Sequence, residues 1–385
     1  MRHSLKTGMI EATRLTRAGR LTEAMAAIRR TLTGASAPPS ESGPQAERTQ
    51  PQATPDIIDM VPPSREAGGA WTSPQTGEAR TGADIGSLVR PVARPASESL
   101  PLTGRFEERS YANAAGRRSY RLYTPSFYRG QALPLVVMLH GCTQSPEDFA
   151  AGTRMNELAE EQGFFVAYPK QTRAANASKC WNWFNAADQQ RDGGEPSLIA
   201  GITRQIMADV AVEPGRVFVA GLSAGGAAAA IMGATYSDLY AAVGVHSGLA
   251  RGAASDVSSA LAAMKQGGAP TVTTSHRIVP TIVFHGDGDM TVNPVNGDQV
   301  IAQAKAGATL RLAVTRGTAP GGIGYVRAVQ VDESGQPVLE QWVLHGTGHA
   351  WSGGSPAGSY TEPRGPDASR EMIRFFRQQP SASGR

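Results

Sequence analysis

This sequence of 385 residues has little of what several classes of protein require. It has only two cysteines, which are too few for a small fold held together by many disulfides. The 37 basic and 33 acidic residues leave a net charge of +4. Because the basic residues form no long run, the sequence does not predict nucleic-acid binding. No apolar stretch approaches a membrane span, and the basic residues 1–6 precede no uninterrupted apolar run, so no conventional signal peptide is visible.

The residues that are present divide the chain into four predicted segments. Residues 1–33 are predicted to be an amphipathic helical segment, since apolar residues recur on one face. Residues 34–101 are rich in Pro, Ala, Ser, Thr and Gly and are predicted to be a disordered linker. Residues 102–378 are the predicted folded domain, and residues 379–385 a flexible tail.

Strand-like and helix-like runs alternate within the predicted domain. Strands are predicted at residues 119–123, 135–139, 164–168, 217–220, 242–245, 281–284 and 341–344. Helices are predicted at residues 146–161, 197–210, 224–234, 294–306 and 367–377. A hairpin of residues 325–331 and 338–344 is predicted at the sheet edge. This alternation predicts an α/β fold with a mostly parallel central sheet and helices on both faces.

A G-x-S-x-G pattern at residues 221–225 carries the first chemical signal. It follows the apolar run at residues 217–220 and precedes an alanine-rich stretch, which is typical of a nucleophile elbow with Ser223 at its tip. With 44 glycines in the chain, the bare pattern also arises by chance. Its context therefore has to decide.

Acidic and histidine candidates follow the serine in the order that an α/β-hydrolase fold uses. Asp287 and Asp289 come directly after a predicted strand, and His345 and His349 lie in a glycine-rich loop after the next one. The order Ser, Asp, His predicts a serine hydrolase, for which no metal or organic cofactor is needed.

A second block upstream, HGCTQ at residues 140–144, also follows a predicted strand. Its backbone N–H groups, from Cys142 or Thr143, are predicted to form an oxyanion hole with the N–H of Ala224. We interpret the His140 side chain as a turn residue that hydrogen-bonds the scaffold. From the residues alone, Cys142 and Cys180 are either buried thiols or a disulfide, and a metal site is not expected.

Five blocks together resemble the esterase/polyhydroxybutyrate depolymerase family, and the similarity spans about residues 105–376. The blocks are HGCTQ at 140–144, CWNWF at 180–184, GLSAGG at 221–226, VHSG at 245–248 and GHAWSGG at 348–354. The resemblance implies hydrolysis of short-chain polyhydroxyalkanoate esters, with feruloyl and acetylxylan esterases as relatives. It also implies a Cys142–Cys180 disulfide and an extracellular or periplasmic location.

The family pattern His-Gly-x-x-Asp falls on residues 285–289 and selects the acid. The predicted triad is Ser223, Asp289 and His349, with Asp287 as the alternative acid. A group of aromatic and histidine side chains is predicted to contact the substrate. The alternative interpretation is that these side chains are buried in the hydrophobic core. These are Trp181, Trp183, His246 and Trp351.

Two alternatives remain open at this stage. The first is a hydrolase fold that binds polymer or granules without catalysis, through its arginine-containing N-terminal helix. The second is a feruloyl or acetylxylan esterase. We also expect the N-terminal helix to dock peripherally on a polymer surface.

Overall fold

The computed structural model describes residues 104–268, 278–305 and 307–381. The predicted N-terminal helix, the predicted linker and the last four residues lie outside this part of the chain. The predicted tail begins at residue 379, yet Gln379 is buried and its side chain donates to the Pro337 and Phe375 carbonyls. The folded region therefore includes Gln379.

A ten-stranded sheet runs through the domain in the order β1-β2-β4-β3-β5-β6-β7-β10-β9-β8. The strands are β1 (Arg105–Asn113), β2 (Gly116–Thr124), β3 (Leu133–Leu139), β4 (Phe165–Pro169), β5 (Val212–Leu222), β6 (Ala242–His246), β7 (Thr281–Gly286), β8 (Arg311–Thr318), β9 (Gly324–Val331) and β10 (Pro337–Leu344). The six central strands, from β4 to β10 in the sheet order, are parallel, and an antiparallel pair of strands flanks them on each side. Two short strands, β11 (Trp351–Ser352) and β12 (Thr361–Glu362), pair separately.

Helices cover both faces of the sheet. They are α1 (Pro146–Thr153), α2 (Met155–Gln162), α3 (Gly194–Asp209), α4 (Ala224–Thr235), α5 (Val257–Gln266), α6 (Val295–Lys305) and α7 (Ala368–Gln378). Buried residues of α3, α4, α5 and α6 belong to one hydrophobic cluster, and those of α1, α2 and α7 to a second. The predicted α/β architecture with helices on both faces is confirmed.

Two local predictions differ from the structure, and the elements β1, β8 and α5 were not predicted. The predicted helix 146–161 is two helices, because Arg154 adopts a left-handed conformation with φ 52° between them. The predicted hairpin, β9 and β10, does not contain the outermost strand of the sheet, because the mostly exposed strand β8 pairs with the outer side of β9. Helix α5, begun by a reciprocal cap between Asp256 and Ser259, was not predicted. Tertiary pairing and local caps decided these features, which apolar periodicity does not encode.

Because these strands are parallel, the loops that follow β3, β5, β7 and β10 lie at one edge of the sheet, the edge formed by the carboxyl ends of the strands. The candidate residues 140–143, 223, 287–289 and 345–349 all lie in these loops. Topology therefore gathers segments that are far apart in sequence, at the edge where α/β proteins bind their ligands.

Candidate active site

Ser223 occupies the sharp turn between β5 and α4. Its backbone is strained, with φ 58° and ψ −120°, in a region that residues other than glycine rarely adopt. The Ser223 N–H donates to the His246 carbonyl at 2.9 Å, and its carbonyl accepts from the Ala227 N–H at 2.9 Å. A Cβ on Gly225 would collide with the Leu139 carbonyl, so glycine is required for this close approach. The turn lifts the Ser223 side chain above the sheet edge.

His349 and Asp289 meet across two loops of this edge. His349 Nδ1 lies 2.7 Å from Asp289 Oδ2, and the two side chains are 12% and 0% exposed. Asp289 Oδ1 accepts the backbone N–H groups of Thr291 and Val292 at 2.8 and 2.9 Å. With Nδ1–H committed to the carboxylate, His349 Nε2 is the nitrogen left to act as a base.

The Asp289 carboxyl is held in its ionised form. Burial by itself raises its pKa, but hydrogen bonds from His285 and His349, together with the Val292 N–H, outweigh burial and hold the pKa well below its usual range. His285 Nε2 lies 3.5 Å from Asp289 Oδ2 and 2.8 Å from the Val292 carbonyl. His285 was part of the His-Gly-x-x-Asp signal, yet its contact with the acid was not foreseen.

Asp287, the alternative acid, has a different partner. Its Oδ2 lies 2.8 Å from His345 Nδ1, and its Oδ1 accepts the Gly346 N–H at 2.6 Å. The Asp287 and His345 side chains are 41% and 49% exposed. The structure thus brings Asp289, and not Asp287, to His349.

The loop after β3 lies beside Ser223. A Cβ built on Gly141 would be 3.6 Å from Ser223 Cβ. Within the described residues, the backbone N–H groups of Cys142 and Ala224 have no hydrogen-bond partner. The Thr143 N–H donates to the Ser178 carbonyl at 2.7 Å and is not free to bind an oxyanion. This contact corrects the prediction of Thr143 as an oxyanion donor. Cys142 and Ala224 remain the candidate donors.

His140 fixes the orientation of the Cys142 N–H. His140 Nδ1 lies 2.7 Å from the Gly141 carbonyl oxygen, and Nε2 accepts the Gln171 N–H at 3.1 Å, so the proton sits on Nδ1. Burial lowers the His140 pKa to about 4, although the contact with Gly141 opposes this. The Gly141 carbonyl and the Cys142 N–H belong to one rigid peptide plane and point in opposite directions. Holding one therefore aims the other.

A disulfide ties the same loop to a second segment. Cys142 and Cys180 are bonded, which confirms the pairing implied by the family resemblance. Gln171 donates to the Cys180 carbonyl at 3.0 Å, and the buried Glu195 accepts the N–H of Asn182 at 2.7 Å. Burial raises the Glu195 pKa, although hydrogen bonds from the Asn182 N–H and the Gln171 side chain to this carboxylate oppose the shift. Sequence reasoning missed Glu195, since nothing near it marks a buried carboxylate.

The four predicted substrate contacts lie in the core. Trp181 is fully buried and its indole N–H donates to the His140 carbonyl at 3.1 Å. Trp351 is 1% exposed and donates to Ser369 Oγ at 3.0 Å, while the buried His246 stacks on Trp351 at 5.1 Å and accepts the Ser352 N–H. Trp183 is 6% exposed and packs edge-on against Phe184. Trp181, His246 and Trp351 are at most 1% exposed and offer no surface to a substrate, which corrects the prediction for these three. Trp183 remains a proposed substrate contact.

Neither a group of metal ligands nor a membrane-spanning helix is found in the part of the chain that the structure describes. No three His, Cys, Asp or Glu side chains there form a group that could hold a metal ion. No helix in the same residues combines the length and the apolar character needed to cross a membrane.

The sheet order, the elbow and the loops at one edge define an α/β-hydrolase fold. An acetyl xylan esterase from Aspergillus awamori has a similar structure, with a TM-score of 0.57 at 20% identity, over 71% of this chain and 100% of that one. A family model described as esterase PHB depolymerase matches residues 118–315, just over half of the chain. The chain belongs to the esterase/polyhydroxybutyrate depolymerase family.

Several curated relatives match at about one-third identity. The poly(3-hydroxyalkanoate) depolymerase C of Paucimonas lemoignei is 31% identical over 232 residues, 56% of this chain and 54% of the relative. An acetylxylan esterase of Coprinopsis cinerea is 32% identical over 160 residues, 41% of this chain and 42% of the relative. A feruloyl esterase B of Neurospora crassa is 32% identical over 127 residues, 33% of this chain and 42% of the relative. The chain spans about half the length, or less, of these relatives.

Proposed function

We propose that this protein is a serine esterase with Ser223, His349 and Asp289 as its catalytic triad. The observation that carries the proposal is the buried 2.7 Å contact between His349 and Asp289, at the sheet edge that also bears Ser223 on its strained turn. An ionised, buried carboxylate orients the imidazole and stabilises the imidazolium that forms during reaction.

In the acylation step, Ser223 Oγ attacks the ester carbonyl carbon while His349 Nε2 takes the hydroxyl proton. The tetrahedral intermediate then collapses, the bond to the leaving alcohol breaks, and His349 gives its proton to that alcohol. Water attacks the acyl-enzyme with His349 again as base, and Ser223 is released with the carboxylic acid. No cofactor takes part in this scheme.

The negative oxygen of the intermediate is bound, in this proposal, by the N–H groups of Cys142 and Ala224. Their lack of other partners among the described residues supports that role. The His140 contact with the Gly141 carbonyl keeps the Cys142 N–H aimed before substrate arrives, so little reorganisation is needed. His140 is thus a positioning residue.

For the substrate we propose the ester bonds of short-chain polyhydroxyalkanoates, as polymer or oligomer. The family and the 31% identity to a poly(3-hydroxyalkanoate) depolymerase support this class. The relatives named acetylxylan esterase and feruloyl esterase support a second candidate, an ester of plant cell-wall polysaccharide. Activity should be compared on poly-3-hydroxybutyrate film, 3-hydroxybutyrate oligomers, methyl ferulate and acetylxylan.

Covalent labelling tests catalysis itself. The full chain should react with a fluorophosphonate probe, whereas Ser223→Ala should not. Ser258→Ala, an exposed serine on α5, is the matched control and should label like the parent. Labelling of the Ser223→Ala variant at the parent rate would place the reactive serine elsewhere and refute Ser223 as the nucleophile. No labelling of the parent would support a binding protein without catalysis.

Docking through the predicted N-terminal helix remains a further proposal. The full chain carrying Leu21→Glu and Met25→Glu should adsorb less to polyester particles, because both changes put charge on the apolar face. Hydrolysis of a soluble p-nitrophenyl ester should stay at the parent rate. Equal adsorption of variant and parent would refute docking by this helix.

A further inference from the structure

Tyr360 is an exposed aromatic residue at the rim of the candidate active site. Its side chain is 47% exposed, and its hydroxyl lies 3.3 Å from Thr143 Oγ1, next to the proposed oxyanion donor Cys142. Its φ of 54° is in the left-handed region, which bulky side chains rarely adopt. Seven non-glycine residues in the described part of the chain have a positive φ, and Tyr360 is the only aromatic one among them, so its conformation calls for an explanation.

Hydrogen bonds on both sides hold the Tyr360 backbone in this conformation. The Tyr360 carbonyl accepts the Trp351 N–H at 2.7 Å. The preceding residue, Ser359, donates its N–H to Asp148 Oδ1 at 2.9 Å, and its carbonyl accepts from Gln144 Nε2 at 3.1 Å. The ring is therefore presented by a fixed backbone, although the ring itself is half exposed.

The same contacts connect Tyr360 to the oxyanion loop. Gln144 accepts the Gly141 N–H on its Oε1 at 2.9 Å while its Nε2 binds Asp148 and Ser359. The segment that carries Tyr360 thus docks on the residues that shape the site. Glycine adopts a left-handed conformation without such strain, as Gly346 and Gly353 do in the same part of the chain.

We propose that Tyr360 is a substrate-contacting residue whose ring forms the wall of the ester cleft beside the oxyanion loop. An apolar substrate chain that adjoins the scissile carbonyl would pack on this ring, as aliphatic polyester units can. Substrate specificity then explains why an aromatic ring is exposed at this rim on a backbone held under strain. This inference rests on the proposed esterase function.

Tyr360→Gly separates contact from structure, because glycine removes the strain as well as the ring. We expect a melting temperature equal to or above that of the parent. For a 3-hydroxybutyrate trimer, kcat/KM should fall about tenfold, mainly through a higher KM. For p-nitrophenyl acetate, which lacks the repeating aliphatic units proposed to pack on the ring, the change should be less than about twofold. Tyr360→Phe should retain most activity on both esters.

Phe127→Ala is the matched control, since Phe127 is 41% exposed at the opposite edge of the parallel strands. It should leave both substrates unaffected. Parent-like kinetics of Tyr360→Gly on the trimer would refute the contact. A lower melting temperature with equal losses on both esters would instead make Tyr360 a structural residue and overturn the proposal. Failure of the esterase function itself would be distinct, because the parent would then hydrolyse neither ester.

Discussion

Two aspartate–histidine pairs lie at the same sheet edge, and their comparison explains what makes one of them fit for catalysis. Asp289–His349 and Asp287–His345 have nearly equal contact distances, 2.7 and 2.8 Å. Their exposure differs sharply. The side chains of the first pair are 0% and 12% exposed, and those of the second 41% and 49%. Contact distance alone would not have distinguished the two acids.

Burial changes what each carboxylate can do. Electrostatic interactions are stronger where water is excluded, so Asp289 acts on His349 through a poorly screened field. Two backbone N–H groups and His285 hold its charge in place. Asp287 and His345 face solvent, where such a pair contributes little. Burial and hydrogen bonding, and not the contact distance, thus distinguish the proposed catalytic acid Asp289 from Asp287.

Replacing each acid by its amide tests the comparison most strongly. Asp289→Asn should lower kcat by about 10⁴-fold, because the amide cannot hold the correct His349 tautomer or stabilise the imidazolium. Asp287→Asn, the matched control, should change kcat less than about tenfold. Steady-state hydrolysis of p-nitrophenyl butyrate measures both. The reverse ranking would make Asp287 the acid.

His140 extends the comparison to a third histidine, which is buried and neutral. His140→Leu cannot donate to the Gly141 carbonyl, which then keeps only the 3.4 Å contact from the Gln144 N–H. The Cys142 N–H is held less firmly, and kcat should fall about 100-fold with KM nearly unchanged. His140→Asn keeps a donor near the Nδ1 position and should recover part of that loss. His345→Leu, at the exposed pair, should have no such effect on kcat. A uniform loss that follows the fraction of folded protein would identify His140 as purely structural.

The pH dependence of the free energy of unfolding should also depend on the burial of His140. The pKa of His140 is about 4 in the native protein and near 6.5 in an unfolded chain. Between these values the unfolded state binds a proton that the native state does not. The native pKa is the lower one, so stability is lost as pH falls from about 6.5 to about 4, by about 2 to 3 kcal/mol from this group at pH 4.5.

Urea unfolding at pH 7.5 and pH 4.5 measures this loss. His140→Asn should show a smaller difference between the two pH values than the parent. The buried His246, whose pKa burial lowers in the same direction, should account for part of the loss that remains. An identical pH difference in variant and parent would contradict the role assigned to His140 burial.

The exposed pair should give the smallest effect. A double-mutant cycle of Asp287→Asn and His345→Gln should yield a coupling energy below about 1 kcal/mol in the free energy of unfolding. Raising the salt concentration should reduce it further, because exposed charges are screened. A coupling energy of several kcal/mol that persists at high salt would break the contrast between the two pairs.

The chain order of the motifs allowed much of the site to be predicted. An apolar strand before Ser223, glycines around it, and acid and histidine loops farther on are local signals that a parallel sheet must bring to one edge. The aromatic side chains were misinterpreted for a physical reason. A tryptophan beside a cysteine or a histidine has the same sequence pattern whether it faces a cleft or, like Trp181, supports a loop from the core.

The sequence by itself determined the α/β alternation, the serine turn and the family to which the chain belongs. Only the tertiary structure decided which groups surround the Asp289 carboxylate, which amide of residues 142 and 143 stays unpaired, and how Tyr360 stands beside the oxyanion loop. Local patterns reflect propensity and periodicity, which act over a few residues. Burial and partner choice depend on contacts between segments up to 217 positions apart, and these exist only once the sheet has assembled.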